Sequence, residues 1–141
     1  MPEHADSDAE IAACYAVMAE LRPHIRREEF VPLIRRMQAD GFRLACIRAE
    51  GRVVAVAGYR FSTNLFYGYN LYVDDLVTAE SERSKGYGKE LLAWLRAKAV
   101  EKGCHAFHLD SGVQRKRAHE FYLREGLELS SYHFSVRFSG R

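Results

Sequence analysis

The 141 residues predict a mixed α/β fold, one central sheet with helices on both faces. Apolar positions recur at helical spacing near the N-terminus and again in the second half of the chain. Between them lie β-branched segments punctuated by glycine turns. The order is helix, helix, three strands, helix, strand, helix and a final strand or pair. No repeat or linker-like stretch divides it, so residues 1–141 are expected to form a single domain.

Ser7-Asp8-Ala9-Glu10 is a capping-box pattern, and Ile11, Cys14, Tyr15, Met18 and Leu21 follow at helical spacing. A first helix is therefore predicted from about Asp8 to Leu21, ended by Arg22-Pro23. A second, about Glu28 to Ala39, carries Phe30, Val31, Ile34 and Met37 on one side, with Pro32 near its start and Gly41 at its C-terminal cap. Phe42 to Ala49 and Val53 to Phe61, joined by Glu50-Gly51, read as a hairpin, and Ser62 to Gly68 as a loop. Tyr69 to Thr78 is a third strand, mostly apolar but interrupted by Asp74 and Asp75. From Gly86 to about Lys102, the residues Gly88, Leu91, Leu92, Leu95 and Ala99 form an amphipathic stripe closed by Gly103. Cys104 to Asp110 is a strand, Arg115 to Glu125 a helix ended by Gly126, and Leu127 to Phe138 supplies one or two final strands.

Composition narrows the function. With 21 basic and 19 acidic residues the formal charge is only +2, which argues against nucleic acid as a partner. Cys14, Cys46 and Cys104 are odd in number and far apart, so they read as reduced core residues rather than a disulfide framework or a zinc site, and no metal is expected. Met1 to Glu10 lacks the basic start and apolar centre of a signal peptide, and no apolar run is long enough for a membrane span. A cytoplasmic protein is expected.

Between the aspartate strand and the next helix lies Arg83-Ser84-Lys85-Gly86-Tyr87-Gly88. Its successive backbone N–H groups can converge on an anion at the positive end of that helix, and Arg83, Lys85 and Lys89 add local positive charge. The dinucleotide pattern G-x-G-x-x-G fails because Leu91 stands where its third glycine belongs. The P-loop fails because the Gly-Lys-Ser/Thr ending is absent.

The segment D-D-L-V-T followed by R-S-K-G-Y-G-K-E-L-L resembles the coenzyme A signature of the GNAT superfamily of N-acetyltransferases, R/Q-x-x-G-x-G/A. Downstream, Ala118-His119-Glu120-Phe121-Tyr122-Leu123-Arg124-Glu125-Gly126-Leu127 resembles the family's A-x-x-F-Y-x-x-x-G-F element. The resemblance covers about Phe42 to Phe138. It implies a mostly antiparallel sheet whose first strand is short or missing, since only Met1 to Ala5 precede the first helix. It also implies acetyl-CoA as co-substrate, bound by Leu76, Val77 and Thr78 along its pantetheine arm and by Arg83, Ser84, Lys85, Gly86, Tyr87, Gly88 and Lys89 at its diphosphate. Arg115 stands where the family often has Asn, and at the head of a basic run it is a candidate for the ribose phosphate.

The implied reaction is direct attack of an amine on the thioester within a ternary complex, which needs positioning, a base for the ammonium and an acid for the leaving thiolate. Asp74 and Asp75 are the candidate bases. Neighbouring strand residues point to opposite faces, and Asp74 shares parity with Tyr72 and Thr78, so the reading favours Asp74 at the polar cleft. The resemblance makes Tyr122 the acid and places an oxyanion donor at or next to the Val77 backbone N–H. His108 and His119 have no spacing that demands catalysis and stay outside the set. The acceptor is expected to be a small-molecule or peptide amine. An aromatic and acidic rim (Phe61, Phe66, Tyr67, Tyr69, Tyr72, Tyr132, Glu28, Glu29) suits a cation. A homodimer is the expected assembly, pairing the edge of the final strand with a second copy. The competing reading is a non-catalytic acyl-CoA-binding regulatory module, and retention of Asp74 and Tyr122 favours the enzyme.

Overall fold

In the computed structural model, which describes residues 1–139, the first strand is short but forms. Pro2–His4 (β1) pairs antiparallel with Arg43–Ala49 (β2), Pro2 lying opposite Ile47. The capping box closes as read, with Glu10 N–H donating to Ser7 Oγ at 3.1 Å and Ser7 N–H to Glu10 Oε1 at 2.9 Å. The expected first helix is two helices, Asp8–Ala13 (α1) and Tyr15–Leu21 (α2). At Cys14 the N–H reaches Ile11 O at 3.0 Å, a three-residue closure that tightens the turn and interrupts the α-helical ladder. Arg27–Ala39 (α3) follows, and Pro32 lies in its second turn without ending it.

Arg52–Asn64 (β3) and Gly68–Thr78 (β4) form a longer hairpin than the loop expected at Ser62 to Gly68. Asn70, fully buried, explains the extension. Its Nδ2 donates to the carbonyls of Ser62 (3.2 Å) and Gly68 (3.0 Å), binding the two strand ends together. The tip is closed by Tyr67 N–H donating to Asn64 Oδ1 at 2.7 Å, and Gly68 turns the chain at φ 74°.

Tyr87–Glu101 (α4) leads to Ala106–Leu109 (β5), which runs parallel to β4 and completes a sheet of order β1-β2-β3-β4-β5. Helices cover both faces. Ile11, Cys14, Met18, Phe30 and Ile34 pack with Leu44, Cys46, Val56 and Val77 on one side. On the other, Trp94 of α4 meets the rings of His4 and Tyr59 at 5.3 and 6.3 Å. Among the described residues no helix is long and apolar enough to cross a membrane.

Residues Met1–Leu109 form one compact unit, and the chain from Asp110 onward forms a second. The second contains Lys116–Arg124 (α5), closed by Gly126 at φ 92° and by Leu127 N–H donating to Tyr122 O at 3.0 Å. The strand or strands expected over Leu127 to Phe138 are absent. Tyr132, Phe134, Val136 and Phe138 do alternate with polar residues, but all four are exposed and no ladder forms. Alternation records a face, not a partner, and a strand exists only where its backbone groups are paired.

Candidate active site

The two aspartates sit at a defect in the sheet. Gly58 of β3 lies opposite Asp75 and Tyr59 opposite Val73, so one step on β3 is matched by two on β4 and Asp74 is the extra, bulged residue. The bulge overturns the parity expected of a regular strand, and both aspartates line one cavity of about 220 Å³ together with Met18, Arg22, His24, Phe30 and Met37. Gly58 makes this possible. A Cβ there would lie 2.3 Å from Phe42 Cζ and 2.9 Å from Asp75 Oδ2.

The carboxylates differ in their partners. Asp74 is gripped by both arms of Arg60, Nε donating to Oδ1 at 3.0 Å and Nη2 to Oδ2 at 3.1 Å. Asp75 accepts from Arg22 Nε through Oδ1 at 2.8 Å, while Arg22 Nη2 donates to the Asp74 carbonyl at 3.1 Å. Burial pushes the Asp75 carboxyl up from its ordinary value, with Asp74 adding to the rise and Arg22 and Arg60 opposing it. The sequence reading did not identify Arg22, Arg60 or Gly58. Arg22 had appeared only as part of a helix stop, and nothing local in sequence links residues 22, 58 and 60 to position 75.

Pairing of β4 with β5 ends at Val73 and Leu109, and among the described strands Asp75 to Thr78 continues paired only with β3. Just beyond it, Ala79 N–H donates to Val54 O at 2.8 Å. Antiparallel alternation carries the same sense to Val77, opposite Val56, so the Val77 N–H faces β3 and those of Leu76 and Thr78 face the open edge. Leu76 and Val77 are buried, and Thr78 half-buried.

A single 3₁₀ turn, Glu80–Glu82, leads into the glycine turn. Arg83, Ser84, Lys85, Gly86 and Lys89 are exposed. Ser84 has φ 72° and Gly86 φ 88°, and a Cβ at Gly86 would meet nothing within 4 Å. The α4 ladder begins with Glu90 N–H donating to Gly86 O at 3.0 Å, so the N–H groups of Tyr87, Gly88 and Lys89 lie at the helix start, outside that ladder. The Lys85 ammonium donates to buried Glu82 at 3.0 Å, a partner the sequence reading did not foresee.

His108 donates from Nε2 to Asn70 Oδ1 at 2.8 Å, the direction set because the Asn70 amide nitrogen is already donating twice. Its ring lies 4.3 Å from that of Tyr67 and 4.9 Å from that of Tyr72.

In the second unit, Tyr122 is buried on α5, and burial pushes its phenol up, with Arg115 pulling the other way through charge and a hydrogen bond. Arg115, expected at the ribose phosphate, is the N-terminal cap residue of that helix. His119 Nε2 donates to Gly112 O at 2.8 Å, a structural role for that ring.

Comparison with known proteins supports the sequence motifs. Residues 11–127 match the family model described as the acetyltransferase (GNAT) family. The chain is 34% identical over 130 residues to an uncharacterized N-acetyltransferase of Bacillus subtilis (strain 168), YhdJ, covering 91% of this chain and 92% of that protein. It is 35% identical over 95 residues to the aminoalkylphosphonate N-acetyltransferase of Salmonella typhimurium, covering 67% of this chain and 60% of the relative. A solved aminoglycoside N-acetyltransferase, AAC(6')-Iy in complex with CoA, superposes with a TM-score of 0.84 at 14% identity, over 99% of this chain and 95% of that one.

Proposed function

The chain belongs to the acetyltransferase (GNAT) family and is an N-acetyltransferase, and we propose that it passes the acetyl group of acetyl-CoA directly to the primary amine of a small molecule, both substrates bound together. The observation that carries this reading is the bulge at Asp74. It turns two carboxylates into one cavity at the point where β4 loses its β5 neighbour and the N–H groups of Leu76 and Thr78 are left outside both ladders.

A thioester needs no further activation, but an alkylamine with a pKa of roughly 10 arrives as ammonium and must lose a proton. Asp75 is the base in this proposal. Its carboxyl is raised by burial, and only one of its oxygens is held by an arginine, while Asp74 is locked in a two-armed pair. The Leu76 or Thr78 N–H stabilises the developing oxyanion, and Val77 packs. The Arg83 to Lys89 turn holds the diphosphate through backbone N–H groups, with Arg83 and Lys89 as its charges. Tyr122, assigned by its motif and a phenol that burial pushes further up, is the proton donor to the departing thiolate, and Arg115 steadies that hydroxyl.

The cavity also favours an acceptor class. Arg22 lies beside Asp75 and keeps 40% of its side chain exposed, so an acidic group next to the acceptor amine would find a part-exposed cation where the ammonium finds its carboxylate. The named activity of the Salmonella typhimurium relative, on aminoalkylphosphonates, fits this pairing. The test is thiol release from acetyl-CoA across a panel of primary amines with and without a neighbouring phosphonate or carboxylate. Turnover is expected, fastest with the amino acids. Turnover of simple cationic amines alone would overturn the acceptor assignment, and no amine-dependent thiol release with any member would overturn the reading as a small-molecule N-acetyltransferase.

A further inference from the structure

We propose that Glu82 is a positioning residue for diphosphate recognition, a buried carboxylate that clips the glycine turn in its binding shape by joining Lys85 to Arg52. The inference rests on the proposed reading of Arg83 to Lys89 as the diphosphate site.

Three observations lead to it. The Glu82 side chain is 6% exposed, yet both oxygens are used, Oε2 accepting from Arg52 Nη2 at 2.6 Å and Oε1 from Lys85 Nζ at 3.0 Å. The bond to Lys85 spans Ser84, a residue with a side chain held at φ 72°. Left-handed backbone of this kind persists at a non-glycine residue only where the surroundings enforce it. Arg52 opens β3 and so anchors the clip to the sheet, while Glu82 N–H donating to Ala79 O at 2.8 Å holds the turn from the strand side. The two cations keep the Glu82 carboxyl below its ordinary range, so the clip stays charged at neutral pH.

The consequence runs against simple electrostatics. Removing a negative charge beside a polyanion site should tighten binding if charge alone mattered. With Glu82 as a clip, its loss lets Ser84 relax to negative φ, disperses the convergent N–H groups and weakens binding.

Calorimetry with CoA and with pantetheine, which lacks the diphosphate, tests this on the parent, E82Q, K85M and each variant combined with S84G. Glu82→Gln should raise the Kd for CoA by about 10-fold, the scale of one strained backbone residue. Pantetheine affinity should be unchanged. Ser84→Gly should restore much of the loss, because glycine adopts that φ without enforcement. If E82Q does not fold, the K85M and K85M/S84G pair carries the test, since a lysine acting only as a charge on the ligand would not be rescued by glycine at position 84. CoA binding to E82Q as tight as to the parent, or an absence of rescue, overturns the proposal. A parent that binds CoA no more tightly than pantetheine would instead overturn the diphosphate reading beneath it.

Discussion

Asp75 in the β4 bulge and Glu82 in the turn before α4 are both largely enclosed carboxylates, their side chains 12% and 6% exposed, and they are held in opposite ways. Asp75 has one arginine on one oxygen and the like charge of Asp74 next to it, and its carboxyl is pushed up, burial being the largest cause. Glu82 has a cation on each oxygen, and its carboxyl is pulled down. Burial is the largest cause at Asp75 and the two paired cations are the largest causes at Glu82, so the balance of desolvation against paired charge sets the direction at each. A carboxyl raised in this way is the better proton acceptor, and a fully paired one works as a strut.

The sharpest way to break this contrast is at Asp75. Asp75→Asn keeps the shape and removes the base, so kcat should fall by about 10²- to 10⁴-fold. Asp74→Asn, which removes a carboxylate already gripped by Arg60, should fall by less than about 10-fold if Asp74 only positions its neighbour. The reverse ranking in steady-state kinetics would return the base to Asp74.

Tyr122 extends the contrast to a phenol that burial pushes up and Arg115 pulls back. Tyr122→Phe should lower kcat by at least about 10-fold while leaving acetyl-CoA affinity near the parent. A thioester with a better leaving thiol should recover part of the loss. Parent-like kcat on both thioesters would reduce Tyr122 to packing.

At Gly58 the expected effect is on packing first. Gly58→Ala drives a methyl into the Phe42 ring and Asp75 Oδ2, which should cost about 1 to 3 kcal/mol in chemical denaturation and lower kcat through the displaced carboxylate. Wild-type stability in that variant would show that the bulge can open without strain.

The smallest expected effect is the pH dependence of stability. Glu82 is lowered, so its contribution is present above the unfolded carboxyl value and disappears as pH falls through the folded one. Asp75 is raised, so it costs stability at neutral pH, and that cost fades on acidification. Thermal melts should therefore show a larger loss for E82Q than for D75N at neutral pH. The E82Q deficit should shrink as pH is lowered toward about 3. A deficit independent of pH would mean that the Glu82 charge contributes nothing.

The sequence made the sheet, its flanking helices and the glycine turn legible because each is written in local periodicity and turn residues. Asp74 and Asp75 stood out as charges inside an apolar strand. Which of them is free to act was not legible, since it depends on a bulge set opposite Gly58 and on arginines 14 and 53 residues away in sequence. The Glu82 clip was missed for the same reason at one end, because Arg52 lies 30 residues before it. The strand expected at Leu127 to Phe138 failed because its alternation is real but pairing is a property of neighbours.

The most direct test of Asp75 as the base is the pH dependence of kcat for acetyl transfer to a primary amine, in the parent and in D75N. The parent should lose rate along an acid limb whose midpoint lies above the ordinary aspartate range, in keeping with a carboxyl raised by burial. In D75N that limb should vanish, leaving a low rate that rises with pH only as free amine becomes available. The same acid limb persisting in D75N with its midpoint unmoved would contradict the account.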